Sequence, residues 1–79
     1  MEQLLVNIAK GLVEDKDAVK VFADEVNDEG VVVYHLSVAP DDMGRIIGKQ
    51  GRIAKAIRTV IRAAANRAGE KVVVEIDEN

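Results

Sequence analysis

Ile46-Ile47-Gly48-Lys49-Gln50-Gly51-Arg52 is the stretch around which the chain is organised. Two branched apolar residues run into a turn bounded by glycines and carrying a lysine. Glycine takes backbone angles that other residues resist, and it lets a ligand come close to the main chain. The longest helical pattern in the sequence begins after Gly51. A helix starting there aims its unpaired N–H groups and the positive end of its dipole into the turn. An anion, most naturally a phosphate, fits such a place.

The charge around the turn extends this reading. Between Met43 and Gly69 lie seven basic residues, Arg45, Lys49, Arg52, Lys55, Arg58, Arg62 and Arg67, and no acid. The other 52 residues hold four of the 11 basic residues and all 14 acidic ones. The net charge of −3 therefore conceals a cationic segment in an acidic chain. Such asymmetry points to nucleic acid or another polyanion, the plain alternative being a solvated helix face.

Upstream of the turn, Pro40 ends a strand, because it has no N–H for the ladder. Asp41 or Asp42 is then placed to cap a short helix reaching about Ile47. Downstream, Ile53, Ile57, Val60, Ile61, Ala64 and Ala68 recur with a 3.6-residue period, predicting a helix over 52–68 with Gly69 at its C-cap. Lys55, Arg58, Thr59, Arg62 and Asn66 fall on the opposite arc.

Further out, Leu4, Leu5, Ile8, Ala9 and Leu12 predict an amphipathic helix over 2–13. Residues 18–26 and 31–39 read as strands joined by the turn Asn27-Asp28-Glu29-Gly30, an antiparallel hairpin. In the second strand Val32, Tyr34, Leu36 and Val38 share one face, and Val31, Val33, His35 and Ser37 the other. Lys71–Ile76 reads as a third strand and Asp77-Glu78-Asn79 as a frayed tail. The order is α-β-β-α-α-β, an α+β chain with a three-stranded mixed sheet and three helices packed on one face. With 79 residues, a single domain over 1–79 is expected. A domain this small buries only about 60% of its unfolded surface, so a partner chain would add to a thin margin.

Composition excludes several classes. There is no cysteine and one histidine, so neither a thiolate nucleophile nor a zinc site is expected. No basic leader and no run of about 18 apolar residues is seen, which predicts a cytoplasmic protein without membrane insertion. A Walker loop fails. Gly44-Arg45-Ile46-Ile47-Gly48-Lys49-Gln50 is one residue short, and Gln50 stands where a magnesium-binding hydroxyl is needed. A dinucleotide site fails for want of G-x-G-x-x-G. No catalytic residue, cofactor, metal or small-molecule substrate is expected. Aromatic content is 3%, Phe22 and Tyr34, both read as core residues on strands. Base stacking on aromatics is thus not anticipated, and binding would be led by the nucleic-acid backbone and sensitive to salt.

The remaining reading is two helices joined by a turn that grips nucleic acid. Ile46-Ile47-Gly48-Lys49-Gln50-Gly51, followed by Ile53 and Ile57, resembles the KH domain, whose G-x-x-G loop clamps about four nucleotides. The element order is similar to the type II KH fold. Over essentially its whole length the chain resembles the small bacterial single-KH proteins of the KhpA family. The resemblance includes Val38-Ala39-Pro40 before the motif and Gly51-Arg52 followed by Ala54-Lys55-Ala56-Ile57-Arg58-Thr59 after it. One departure is Ala54, where many KH domains carry a branched apolar residue.

The resemblance implies binding of single-stranded RNA by Gly48, Lys49, Gln50, Gly51 and Arg52, flanked by Arg45, Ile46, Ile47 and Lys55. It implies RNA-chaperone activity, a homodimer, and a complex with a larger KH-containing partner of the KhpB or Jag type. It also implies a link to cell elongation and peptidoglycan homeostasis. A different class of function, a dimerisation or docking module that uses the KH shape as a surface, is the alternative.

Overall fold

The computed structural model describes residues 1–76, with the backbone alone at Lys49; the expected tail at 77–79 lies outside the described residues. Helix α1 spans Glu2–Leu12, strand β1 Lys20–Ala23, β2 Val31–Ser37, the helical run α2 Pro40–Arg67, and β3 Lys71–Ile76. A single 3-10 turn, Lys16–Ala18, follows α1. β2 lies in the middle of the sheet, antiparallel to β1 and parallel to β3. A parallel neighbour requires a long crossover, and α2 supplies it.

The run α2 is not one straight helix. Gln50 and Gly51 have φ of 63° and 70°, two successive left-handed residues inside it. At 1.5 Å per residue, 28 residues in one rod would measure about 42 Å. The long axis of the molecule is only 35 Å. The break restores the expected helix–strand–strand–helix–helix–strand order, with one segment before the turn and one after it.

Both segments and α1 cover one face of the sheet. Leu5 and Ala9 from α1, Leu36 from β2, Met43 and Ile46 from before the turn, Ala54, Ile57 and Ile61 from after it, and Val74 from β3 form the core. The buried face of the second segment is Ala54, Ile57, Ile61 and Ala65, not the expected stripe through Val60, Ala64 and Ala68. Val60 is 49% exposed. The face is rotated so that Ala54 and Ala65 turn inward, where small side chains let the helix sit close to the sheet, and Val60 turns out.

Strand ends also shift. β1 begins at Lys20 because the chain turns through Lys16–Ala18, where the Ala18 N–H donates to the Asp15 carbonyl. It ends at Ala23, before Val26. There the Asn27 side-chain oxygen accepts from the Glu29 and Val31 amides and curls the chain, with Gly30 at φ 78°. β2 stops at Ser37, and Ala39 serves as the N-cap with Pro40 as the first helical residue. The last helix ends as expected. Gly69 takes φ 72°, its N–H donates to the Asn66 carbonyl, and the Glu70 N–H donates to the Ala65 carbonyl, a Schellman cap.

No helix among the described residues covers the other sheet face. Phe22 lies there, 54% exposed, and not in the core as expected. It stacks on the His35 ring with centroids 4.7 Å apart and planes 13° apart. The His35 Nε2 is 2.9 Å from the Asp24 carboxylate. In β1, Val21 faces the core, and strand alternation sends Phe22 outward.

Candidate nucleic-acid interface

The turn between the halves of α2 is built from backbone, not from a side-chain cluster. Gly48 keeps a helical φ, while Gln50 and Gly51 are left-handed. An αR-to-αL succession of this kind lines up main-chain N–H groups around an anion-binding hollow. A Cβ added at Gly48 or Gly51 would meet nothing within 4 Å among the described residues. Neither glycine is there to make room for the protein's own atoms. At Gly51 the left-handed backbone is the reason; at Gly48 the bare main chain faces open space.

The expected site residues do not all gather at this turn. Gly48, the Lys49 backbone, Gln50, Gly51 and Arg52 form it directly. Arg52 and Lys55 are exposed, three residues apart and so on one side of the helix, and neither has an ion-pair partner among the described residues. Ile47, 42% exposed, lies just before the turn. Ile46 is 2% exposed and belongs to the core. Arg45 points back toward the end of α1. Its guanidinium is 3.3 Å from a Glu14 carboxylate oxygen and 3.8 Å from Asp42.

Two residues have duties that their sequence positions did not announce. Asp42 sits in the first turn of α2 but caps nothing there, since the N-cap position makes no side-chain hydrogen bond. Its carboxylate is buried and accepts from the Glu14 amide at 3.0 Å and the Asp15 amide at 3.1 Å. Those amides, and less strongly Arg45 and Lys16, hold its carboxyl below the ordinary aspartate range. Asp42 therefore ties the loop after α1 to the segment that leads into the turn. An acid near a helix start is read locally as a cap, and nothing in the spacing signals a partner 28 residues away.

The second is Arg58. The arc opposite the core suggested a freely solvated cation, but its Nε donates to the Val74 carbonyl of β3 at 3.2 Å. This places Arg58 across the seam between the second segment and the edge strand. Lys55 and Arg62 lie on the same flank, because residues three and four apart share a helix face. The seam thus runs from the glycine turn along β3 with basic residues beside it.

On the other flank, Val60 and Ala56 face Ile8, Gly11 and Leu12 of α1 across a shallow apolar groove. Leu12 is 42% and Leu4 38% exposed. Among the described residues no helix is long and apolar enough to cross a membrane.

Comparison with known proteins agrees with this architecture. The family model described as KhpA/KhpB, KH domain, matches residues 2–76. A Clostridium acetobutylicum protein named RNA-binding protein KhpA is 59% identical over 76 residues, covering 96% of this chain and 99% of that protein. Proteins of the same name from Listeria monocytogenes and Aquifex aeolicus are 45% and 49% identical. They cover 99% and 89% of this chain and 100% and 86% of their own lengths. Among solved structures, Aquifex aeolicus Era bound to GDP and aluminium fluoride superposes with a TM-score of 0.67 at 21% identity. Era in complex with MgGDPNP and nucleotides 1506–1542 of 16S ribosomal RNA gives 0.61 at 20% identity. Both matches cover 95% of this chain, which spans only 28% of either Era chain, and they speak to fold alone. With the matched region reaching from α1 to the end of β3, the chain belongs to the KhpA/KhpB family of KH domains.

Proposed function

We propose that the chain is a non-catalytic, single-domain RNA-binding protein of the cytoplasm that grips single-stranded RNA by its backbone. The Gly48-Lys49-Gln50-Gly51 turn and Arg52 hold phosphates, with Lys55 continuing the track and Ile47 offering an apolar contact. Arg45 and Ile46 support the turn from behind, one through its acidic partners and one through the core. The observation that carries this reading is the pair of left-handed residues Gln50 and Gly51, set among seven cations with no acid between positions 43 and 69. The relatives named RNA-binding proteins support it.

The same reading takes in RNA-chaperone activity, a homodimer, and a complex with a larger KhpB- or Jag-type KH protein linked to cell elongation and peptidoglycan homeostasis. The exposed apolar strip of Leu12, Ala56 and Val60 supports association with another chain and keeps a docking role in view. Two clamps on one dimer would raise avidity without new contacts.

The test is the double variant Lys49→Asp/Gln50→Asp. It should lose RNA binding while its circular-dichroism spectrum and cooperative melting survive. Unchanged RNA affinity sinks the proposed site. Crosslinking pulldowns with and without RNase separate RNA-dependent partners from direct protein docking.

A further inference from the structure

We infer that Arg58 is the specificity-determining residue of this site, reading a base that presents two adjacent hydrogen-bond acceptors. The inference rests on the RNA-binding reading above and adds to it the class of base. Arg58 lies seven residues past Gly51, about 10 Å along the helix, within the span of the roughly four nucleotides that a G-x-x-G turn clamps. A base splayed from a backbone held at the turn reaches the seam between this helix and β3. That seam is where Arg58 stands, fixed by its Nε hydrogen bond to the Val74 carbonyl.

This anchoring decides what the side chain can do. A guanidinium carries five N–H donors in one plane and no acceptor. With Nε spent on Val74, the two terminal amino groups remain, and neither has a protein acceptor among the described residues. They form a rigid donor–donor edge. In a single strand every base edge is open. Guanine offers O6 and N7 side by side, and cytosine offers O2 and N3. On their Watson–Crick and Hoogsteen edges adenine and uracil place a donor beside each acceptor, so one of the two Arg58 hydrogen bonds would face another N–H. The plane of the guanidinium also supplies a stacking surface. Both aromatic side chains are elsewhere. Phe22 stacks on His35 on the open sheet face, and Tyr34 packs against the core. A phosphate-neutralising cation needs none of this geometry, which is what separates Arg58 from Arg52 and Lys55.

The experiment uses the full chain and short oligouridines carrying one central adenine, cytosine, guanine or uracil. Affinities are measured against salt for the wild type, Arg58→Lys and Arg58→Gln. The wild type should bind the guanine or cytosine strand about tenfold more tightly than the others. Arg58→Lys should lose that preference and keep the salt slope, since it keeps the charge and loses the planar fork. Arg58→Gln should lose the preference as well. Deaza analogues lacking guanine N7 or cytosine N3 should abolish the wild-type preference, a result independent of how any variant folds. A wild type that binds without preference, or an Arg58→Lys variant that keeps it, overturns the role of Arg58 and leaves the backbone clamp standing. No binding to any strand by the wild type overturns the RNA-binding reading itself.

Discussion

Alanine at Gly51 and alanine at Gly48 should move stability in opposite directions. Gly51 has φ of 70°, and a Cβ there meets nothing within 4 Å among the described residues, so the penalty is backbone strain. A left-handed conformation costs an L-residue about 1–2 kcal/mol. Loss of chain entropy in the unfolded state returns about 0.4–1 kcal/mol of this. The net loss for Gly51→Ala is therefore about 1 kcal/mol, and Tm should fall by about 4–8 °C for a chain of this size. Gly48 is helical and equally open, so alanine there should add about 0.5–1 kcal/mol through helix propensity. Urea unfolding measures both, and the slope with denaturant should stay constant, because neither change alters the surface exposed.

The same pair separates folding from function. A methyl group on Gly48 stands on the bare main chain that RNA must approach. Gly48→Ala should thus melt higher than wild type and bind RNA more weakly, a trade expected where a site limits stability. If Gly51→Ala leaves stability unchanged, the left-handed step is not at Gly51; if both alanines destabilise alike, Gly48 is not helical and open. If Gly48→Ala gains stability and binds RNA as well as wild type, the ligand does not approach the turn.

Other perturbations follow from the core and the charges. Asp42→Asn leaves one acceptor oxygen for the Glu14 and Asp15 amides and turns an NH2 donor toward the other, and should lower Tm at neutral pH. The native Asp42 carboxyl titrates below its unfolded value, so its stabilisation is present above about pH 4 and lost as pH falls through the lower native value. Acid melting curves of Asp42→Asn should therefore be flatter with pH than those of wild type. Ile57→Ala removes a side chain that is 1% exposed, and should cost about 2–5 kcal/mol in urea unfolding. Val60→Ala, on the exposed flank, should cost less than about 0.5 kcal/mol in the isolated chain. A larger loss that grows with protein concentration would instead report a chain–chain contact. RNA affinity should fall with salt, with a log–log slope of about 0.7 per phosphate held.

Much of this architecture was legible because local signals agreed. The period of Leu5 and Ala9, the alternation through Leu36, the Pro40 stop and the Gly69 cap each depend on residues within one element. The break at Gln50-Gly51 was legible because two glycines bracket it. What stayed hidden depends on partners distant in the chain. The Asp42 hydrogen bonds to Glu14 and Asp15, the Arg45 pairing with Glu14, and the Arg58 bond to Val74 exist only once the elements are packed. The inward turn of Ala54 was masked for a related reason. Hydrophobicity ranks it below Ile53, but close approach to the sheet favours the smaller side chain. Phe22 was misplaced because aromatic character outweighed strand parity.

On the proposed function, RNA lies on the glycine turn and runs along the seam toward β3. Titrating the protein with a short single-stranded RNA while following its backbone amides by nuclear magnetic resonance tests this most directly. The largest shifts should fall at Gly48 to Arg52, with smaller ones at Lys55, Arg58 and Val74. Shifts centred instead on Leu12 and Val60, or on Phe22 and His35 of the open sheet face, would contradict it.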